Sequence, residues 1–597
     1  MRIGIGQCVC TALLGVLVQL PGSAGGTIGP LLEARMKEGD PGTTHLVWVF
    51  FRDKGPLEAH PVFAGEGLVS RRSLLRRAKV MPPECLTDRA DLPVHAPYVD
   101  ALRPLTGWVK HPSRWLNAVS VVATSDQIRS ISRLPFVRTL EPVGRYGRRT
   151  PPVEGAGDEA GSVAPDTVLN YGDSFNQLNQ IGVPAVHATG NLGQGVLVGV
   201  FDNGVRLLTH EAFSSMQILA THDFVDHKVS VVPNNPSSAF GSHGVNTLSI
   251  IGGNKPGKLI GPALGATFLL ARTENDSSET PVEEDNWVAA IEWADSIGVD
   301  VTSTSLGYLG YNPPYPGWTW QNMDGNTTVI TRAADMAVAR GICVFNSAGN
   351  EGNNPSHNTL VAPADGDSVM AVGGLNPNGT RWASSSVGPT SGAIPRIKPD
   401  VMAQASGVWY ASSTNPAGYG NFSAGTSFAC PLAAGAAALI LHARPGATPM
   451  QVAQAMKATA GNAGSPNNLT GWGTVNTPAA IAYLTAGEAP PEEEPDAFRL
   501  GPNYPNPFNP TTTIEYVIPH TSAVSLRIYD MLGREVRTLV DETQGPSRYR
   551  ILWNGTDDLG RGVASGVYLS RLTASPIGAG GGRSLSFSES RTMVLLK

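Results

Sequence analysis

Residues 195–205 read GVLVGVFDNGV. The run from Val196 to Phe201 has no polar alternation, so both of its faces must be covered, which is the condition of a strand inside a parallel sheet. Asp202 ends the run and Asn203-Gly204 turn the chain, placing a carboxylate at the carboxyl edge where open α/β sheets hold ligands. Similar runs recur at ATFLLA (266–271), VDVTSTSL (299–306), ICVFNS (342–347) and SVMAVGG (368–374). Helical patterns lie between and after them. DNWVAAIEWADSIG (285–298) spaces Val288, Ile291 and Ala294 on one face, NTTVITRAADMAVARG (326–341) follows, and ATPMQVAQAMKATA (447–460) opens with Thr448 as cap and Pro449 at the first helical position. Such alternation predicts an α/β domain over 168–486, a parallel sheet with helices on both faces.

Outward from this domain the pattern changes twice. Toward the amino terminus, 25–148 reads as a small α+β unit: strand THLVWVFF, a basic helical stretch from Arg71 to Lys79, strand WLNAVSVVAT, helix SDQIRSISRL with Ser125 as its cap, and strand VRTLEPV. Gly, Pro and acidic residues make 149–167 a linker. Clustered acids and prolines make 487–497 a second one. Beyond it, TTTIEYVIP, AVSLRIYD, EVRTLV, RYRILW, VYLSRL and RTMVLL, separated by Gly-rich turns, predict an antiparallel sandwich within 498–597.

The chain has 597 residues, and at about 150 residues per domain that allows three or four units. Its net charge of −6 includes no long basic run, which excludes the phosphate-neutralising surface of a nucleic-acid binder. Arg2 followed by an apolar stretch ending in small residues near Ala24 has the profile of an export signal over 1–24. Of five cysteines, Cys8 and Cys10 lie in that segment, so Cys85, Cys343 and Cys430 remain and no disulfide framework is expected.

Three side chains far apart in sequence carry the chemistry. Asp202 alone is most often a turn former. His243, in GSHGVNTLSIIGG, has Gly241 and Gly244 beside it to admit a close backbone, and a helix follows. Ser427, in FSAGTSFACPLAAGAAALIL (422–441), sits at the start of an apolar helix, where unpaired amides can donate to a developing oxyanion. A serine in that place is commonly only a cap. The order Asp, His, Ser along an α/β chain is one of the three triad orders.

VGVFDNGV, SHGVNTLSIIGG, FNSAGNEG and GTSFACP resemble, in order and spacing, the motifs of the subtilase family. The separations are 41 residues from Asp202 to His243 (243 − 202) and 184 from His243 to Ser427 (427 − 243). The resemblance implies a subtilisin-like fold and a serine endopeptidase working through an acyl-enzyme. Ser427 would be the nucleophile, His243 the general base and acid, Asp202 its orienting carboxylate, and Asn350 the oxyanion side chain. Ser305, Leu306 and Gly307, with Ala348 and Gly349, would bind an extended substrate. The pattern departs from the family at Phe428, where methionine is common, and at Val245 in His243-Gly244-Val245, where threonine is frequent. Cys430 reads as a small buried filler, and the aromatic insertion 308–329 as a border of the cleft or, alternatively, a surface cover. An adhesion protein that kept the fold without turnover would have lost a catalytic group, and none is lost.

The 25–148 unit resembles subtilase propeptides. YPNPFNPTTTIEYVIP, SLRIYDMLGREVRTLV and GVASGVYLSRL resemble the carboxy-terminal sorting modules of type IX secretion substrates, which are immunoglobulin-like or hook-capping-like sandwiches. These resemblances imply three partners: polypeptide substrates, the chain's own propeptide and the type IX secretion machinery. They also imply a location outside the cell or on its surface. No cofactor is required by such enzymes, calcium is a structural ion in many, and no dense Asp-x-Asp loop locates a calcium site here.

Overall fold

Alternate residues of Leu197–Asp202 (β1) face two different helical layers: Val198 and Val200 enter one apolar cluster, Leu197 and Phe201 the other. The computed structural model describes residues 25–38, 42–59, 67–143, 169–234, 240–276, 282–310, 317–486, 498–577 and 586–596. The export signal at 1–24 and the linkers at 149–167 and 487–497 lie outside the described residues. Residues up to Ala486 form one compact body and those from Gly487 a second.

In the first body β1 is joined by Gln217–Asp223 (β2), Thr267–Arg272 (β3), Val301–Thr304 (β4), Cys343–Ser347 (β5), Met370–Leu375 (β6) and Val401–Gln404 (β7). All pairings are parallel, in the order β7-β6-β5-β4-β1-β3-β2. The connection leaving β1 runs toward β2 and the one leaving its neighbour β4 runs the opposite way, toward β5, so a crevice opens between the carboxyl ends of β1 and β4, beside Asp202. β2 and β7 carry too little apolar run to stand out in sequence: Gln217, Ile218 and Leu219 are exposed at the sheet edge, and β7 has only four residues.

Helices Ser242–Gly252 (α1) and Thr426–Ala443 (α4) cover one face, and Val282–Ile297 (α2) and Val329–Ala339 (α3) the other. Thr448 caps the Pro449–Ala458 helix in a capping box with Gln451, as its sequence predicts. The α4 helix is apolar all round because the core surrounds it, which also explains why it alone among the described helices is long and apolar enough to cross a membrane.

The N-terminal unit is a five-stranded sheet ordered Thr27–Ile28, Val137–Pro142, Thr44–Phe51, Ala118–Thr124, Trp108–Ser113. One face packs Val47, Val49 and Phe51 with Ile128 and Ile131 of the Ser125–Ser132 helix. The other turns Leu46, Trp48 and Phe50 toward Val329 of α3, so THLVWVFF is apolar on both sides for a tertiary reason. The cap of the Ser125–Ser132 helix is Thr124 and not Ser125. Thr124 has Gln127 three residues on to return its hydrogen bond, whereas Ser125 would be followed there by Ile128, which has no polar atom to give.

The second body holds two antiparallel sheets, one of Arg499–Leu500, Thr512–Ile518 and Ser547–Trp553, the other of Glu535–Gln544, Ser522–Asp530, Gly566–Pro576 and Phe587–Leu595. Ile514, Tyr516 and Trp553 from the first meet Leu526, Ile528, Leu572 and Met593 from the second in one core. The Pro-Asn-Pro-Phe-Asn-Pro string is part of it: Phe508 is buried there, and its N–H donates to Val594 O at 2.9 Å.

Candidate active site

The carboxyl end of β1 and the first turn of α1 are brought together by glycines. A Cβ on Gly244 would stand 2.0 Å from the carbonyl oxygen of Gly204, which itself has φ of +99°, so only this pair lets the helix sit on the turn after β1. That close approach delivers His243 to Asp202. Nδ1 of His243 lies 2.7 Å from Asp202 Oδ1, with the carboxylate buried and the imidazole at the edge of solvent.

Two further donors hold the carboxylate: the Asn203 amide N–H reaches Oδ1 at 2.8 Å and the Thr247 hydroxyl reaches Oδ2 at 2.9 Å. Burial pushes this carboxyl upward, but the His243 imidazole, together with those two donors, outweighs burial and holds it below the ordinary carboxylate range. Asn203 acts a second time, its side-chain oxygen accepting the Gly244 N–H at 2.9 Å. In the sequence Asn203 reads only as a turn residue, and Thr247 carries no assigned role. Thr247 stands four residues after His243 on a helix, one turn on the same face, and that spacing was the available signal.

Ser427 occupies the second position of α4 and is half-buried. Its hydroxyl donates to the carbonyl of Ser305 at 3.0 Å, while the Ser305 hydroxyl donates back to the Ser427 carbonyl at 2.7 Å. The second bond has a cause in the sequence. Pro431, four residues on, has no N–H to offer the Ser427 carbonyl, so the helix leaves that acceptor open and the end of β4 fills it. Replacing Ser305 by alanine is expected to destabilise the protein by about 1–3 kcal/mol, since it strands that carbonyl. In a Pro431→Ala background residue 431 regains a donor, and the same replacement is expected to cost about 1 kcal/mol less. Urea unfolding of the four chains measures this; equal costs in both backgrounds would exclude the link.

The ring of His243 stacks at 6.4 Å on that of Phe428, the residue after Ser427. The His243 ring therefore lies against the first turn of α4, with no described partner on the imidazole Nε2, while the Ser427 hydroxyl is turned to Ser305. Phe428 thus fills the space beside the histidine that a flexible methionine would fill elsewhere.

Asn350 is anchored by its oxygen. The Thr426 N–H, an orphan donor at the start of α4, reaches Oδ1 at 2.9 Å, and the Thr426 hydroxyl does so at 2.9 Å. The amide nitrogen is left facing the same opening as the Ser427 N–H, which has no partner among the described residues. Both nitrogens lie beside Gly425, where a Cβ would stand 3.5 Å from Asn350 Nδ2 and 3.7 Å from Ser427 N. Ala348 is buried and bonded into the sheet edge, its N–H on Val372 O, and Gly349 has φ of +114°. Leu306 has its carbonyl taken by Asn346 at 2.9 Å, whereas no described residue pairs with the Gly307 main chain.

Cys430 is fully buried against Ser303 and the Thr304 carbonyl, and burial pushes its thiol up to about 12, which makes it a filler and not a second nucleophile. Part of the aromatic insertion is structural. Tyr308, Trp318 and Met323 are core residues, and the Trp318 indole donates to Glu284 of α2 at 2.8 Å, so these members of the insertion cover the helical face. Among the described residues no group of three or more His, Cys, Asp or Glu is arranged to hold a metal ion.

Subtilisin NAT of Bacillus subtilis subsp. natto is 32% identical over 305 residues, 51% of this chain and 70% of that protein. The chain belongs to the subtilase family. Subtilisin DY of Bacillus licheniformis is 32% identical over 295 residues, 49% of this chain and 94% of its own. The Subtilase family profile matches residues 193–473 of this subtilase. Residues 46–152 match the Peptidase S8 propeptide domain of Bacteroidota, and 503–575 the Secretion system C-terminal sorting domain. Fervidolysin from Fervidobacterium pennivorans, a keratinolytic enzyme related to subtilisin, shares the fold at a TM-score of 0.54 and 19% identity, over 96% of this chain and 79% of its own. This subtilase is accordingly a subtilisin-like serine peptidase with a propeptide domain before the peptidase domain and a sorting domain after it.

Proposed function

We propose that this subtilase is an exported endopeptidase that cleaves polypeptides through an acyl-enzyme on Asp202, His243 and Ser427. The observation that carries the reading is the Asp202–His243 pair at 2.7 Å, set beside the helix turn that bears Ser427. Rotation of the Ser427 hydroxyl from the Ser305 carbonyl to His243 Nε2 gives the imidazole a proton to take. The alkoxide attacks the scissile carbonyl, and the imidazolium, stabilised by Asp202, then protonates the leaving amine; water repeats the sequence on the ester. Asn350 Nδ2 and the Ser427 N–H stabilise the oxyanion. Ser305, Leu306 and Gly307, with Ala348 and Gly349, hold the substrate main chain as an added strand, with Gly307 supplying the unpaired groups.

Residues 25–148 act as an inhibitory propeptide until the chain is cut in 149–167. Residues 168–486 are the peptidase domain. Residues 498–597 are an immunoglobulin-like module read by the type IX secretion machinery, which delivers the enzyme to the cell surface or beyond. No cofactor enters the reaction, and calcium, where bound, is structural. A fluorophosphonate probe is expected to label Ser427 once the propeptide is removed, and labelling is expected to vanish in His243→Ala. A scaffold without turnover would stay unlabelled in both.

A further inference from the structure

The sheet of the propeptide domain rests on the sides of α2 and α3, but its Arg71–Arg77 helix does something else. It lies across the carboxyl ends of both helices, where the last carbonyls have no partner within the helix and the dipole is negative. Ser70 takes two of them, its N–H on Ser296 O at 2.8 Å and its hydroxyl on Ile297 O at 2.7 Å. Arg72 Nε donates to Gly298 O at 3.0 Å, Arg76 Nη1 to Val299 O at 2.7 Å and Arg76 Nε to Arg340 O at 3.1 Å.

Asp295 makes the arrangement intelligible. An acid in the last turn of a helix opposes the dipole, and this one is fully buried, so it needs cations. Arg76 contacts Oδ1, and Arg77 reaches Oδ2 at 2.5 Å. Arg77 is itself held from behind by both oxygens of Asp91, at 2.7 and 2.8 Å, so the propeptide domain aims it. The peptidase side is shaped for the helix as well. At Gly298, with φ of +105°, a Cβ would stand 2.7 Å from Ser73 N, and at Gly341, with φ of +92°, 2.9 Å from Arg76 O.

We propose that the carboxyl ends of α2 and α3, with Asp295 and Asp300, form a socket for arginine side chains. Arg72, Arg76 and Arg77 fill it, and this clasp holds the propeptide domain in place after the chain between the two domains is cut. The second clause rests on the propeptide reading above. Hydrogen-bonded charge pairs that are fully desolvated act mainly on the rate of release, whereas pairs at the rim contribute little.

The test uses the full chain carrying Ser427→Ala, so that it cannot cut itself, with a recognition site for a sequence-specific protease inserted in 149–167. After the cut, release of the N-terminal fragment is followed by gel filtration at intervals. Arg76→Met with Arg77→Met is expected to release it roughly a hundredfold faster than the parent. Glu141→Gln, which breaks the half-exposed pair with Arg332 across the same interface, is expected to stay within about threefold. Release of the double variant at the parent's rate overturns the proposal. Should the double variant fail to fold, Arg76→Lys takes its place, since it keeps the buried charge but gives up the forked bonds to Val299 O and Arg340 O; about tenfold faster release supports the socket and an unchanged rate refutes it. The readout is release and not hydrolysis, so failure of the peptidase reading would appear only in the fluorophosphonate experiment.

Discussion

Ser427→Ala is expected to lower peptide-bond hydrolysis by about 10⁶-fold while the chain remains folded. The magnitude is the one measured for the triad serine of subtilisin and is carried over by kinship. That the fold survives follows from the site: the half-buried hydroxyl makes one hydrogen bond, to the Ser305 carbonyl, so its removal is worth about 1 kcal/mol, and alanine is a good residue in the first turn of a helix. The reciprocal bond, from the Ser305 hydroxyl to the carbonyl of residue 427, does not involve the serine side chain and stays. Casein digestion and thermal unfolding of the purified variant measure the two halves. Casein digested as fast as by the parent would end the assignment of Ser427 as nucleophile; lost activity accompanied by a large fall in melting temperature would mean that the serine holds the helix.

Much of this was legible before any coordinates because each motif is fixed by a local physical need. Apolar runs covered on both faces fixed β1, β3, β4, β5 and β6, and the aspartate ending β1 marked the switch point. What escaped were features whose cause lies elsewhere in the chain. β2 and β7 are an exposed edge and a four-residue strand, each without an apolar signature of its own. The cap at Thr124 depended on a glutamine three residues on. The bond from Ser305 to the Ser427 carbonyl required knowing that Pro431 leaves open an acceptor at residue 427, 122 residues after Ser305 (427 − 305). Aromatic residues in the insertion at 308–329 signal burial and binding equally, and packing against α2 identifies Trp318 as a core residue. The basic stretch at 71–79 was read as a helix, and nothing in it says that its arginines are buried in another domain.

Asp202→Asn is expected to lower kcat by about 10³–10⁴ at neutral pH, somewhat less than the roughly 3 × 10⁴ that loss of the whole triad aspartate side chain costs in subtilisin. The geometry indicates which part of the carboxylate's work is lost. An asparagine that keeps its oxygen at the Oδ1 position still accepts the Asn203 N–H and the His243 Nδ1–H, so the imidazole can stay in place. The new NH2 group then points at Thr247, whose hydroxyl can accept it and turn its own proton to the Gly244 carbonyl, 3.4 Å away. Position and tautomer are thus retained, and what disappears is the negative charge that balances the imidazolium of the transition state. The stability effect has a definite sign. The Asp202 carboxyl is held below its unfolded value, so the ionised form contributes stability above the ordinary carboxylate range and loses it as pH falls through the depressed value. Asp202→Asn is therefore expected to flatten the acid limb of the stability curve while leaving its neutral plateau folded. Initial rates on a chromogenic peptide and urea unfolding between acid and neutral pH measure both. Turnover within tenfold of the parent would mean that the charge beside His243 does not act on the transition state, and the acyl-enzyme scheme would lose its orienting carboxylate.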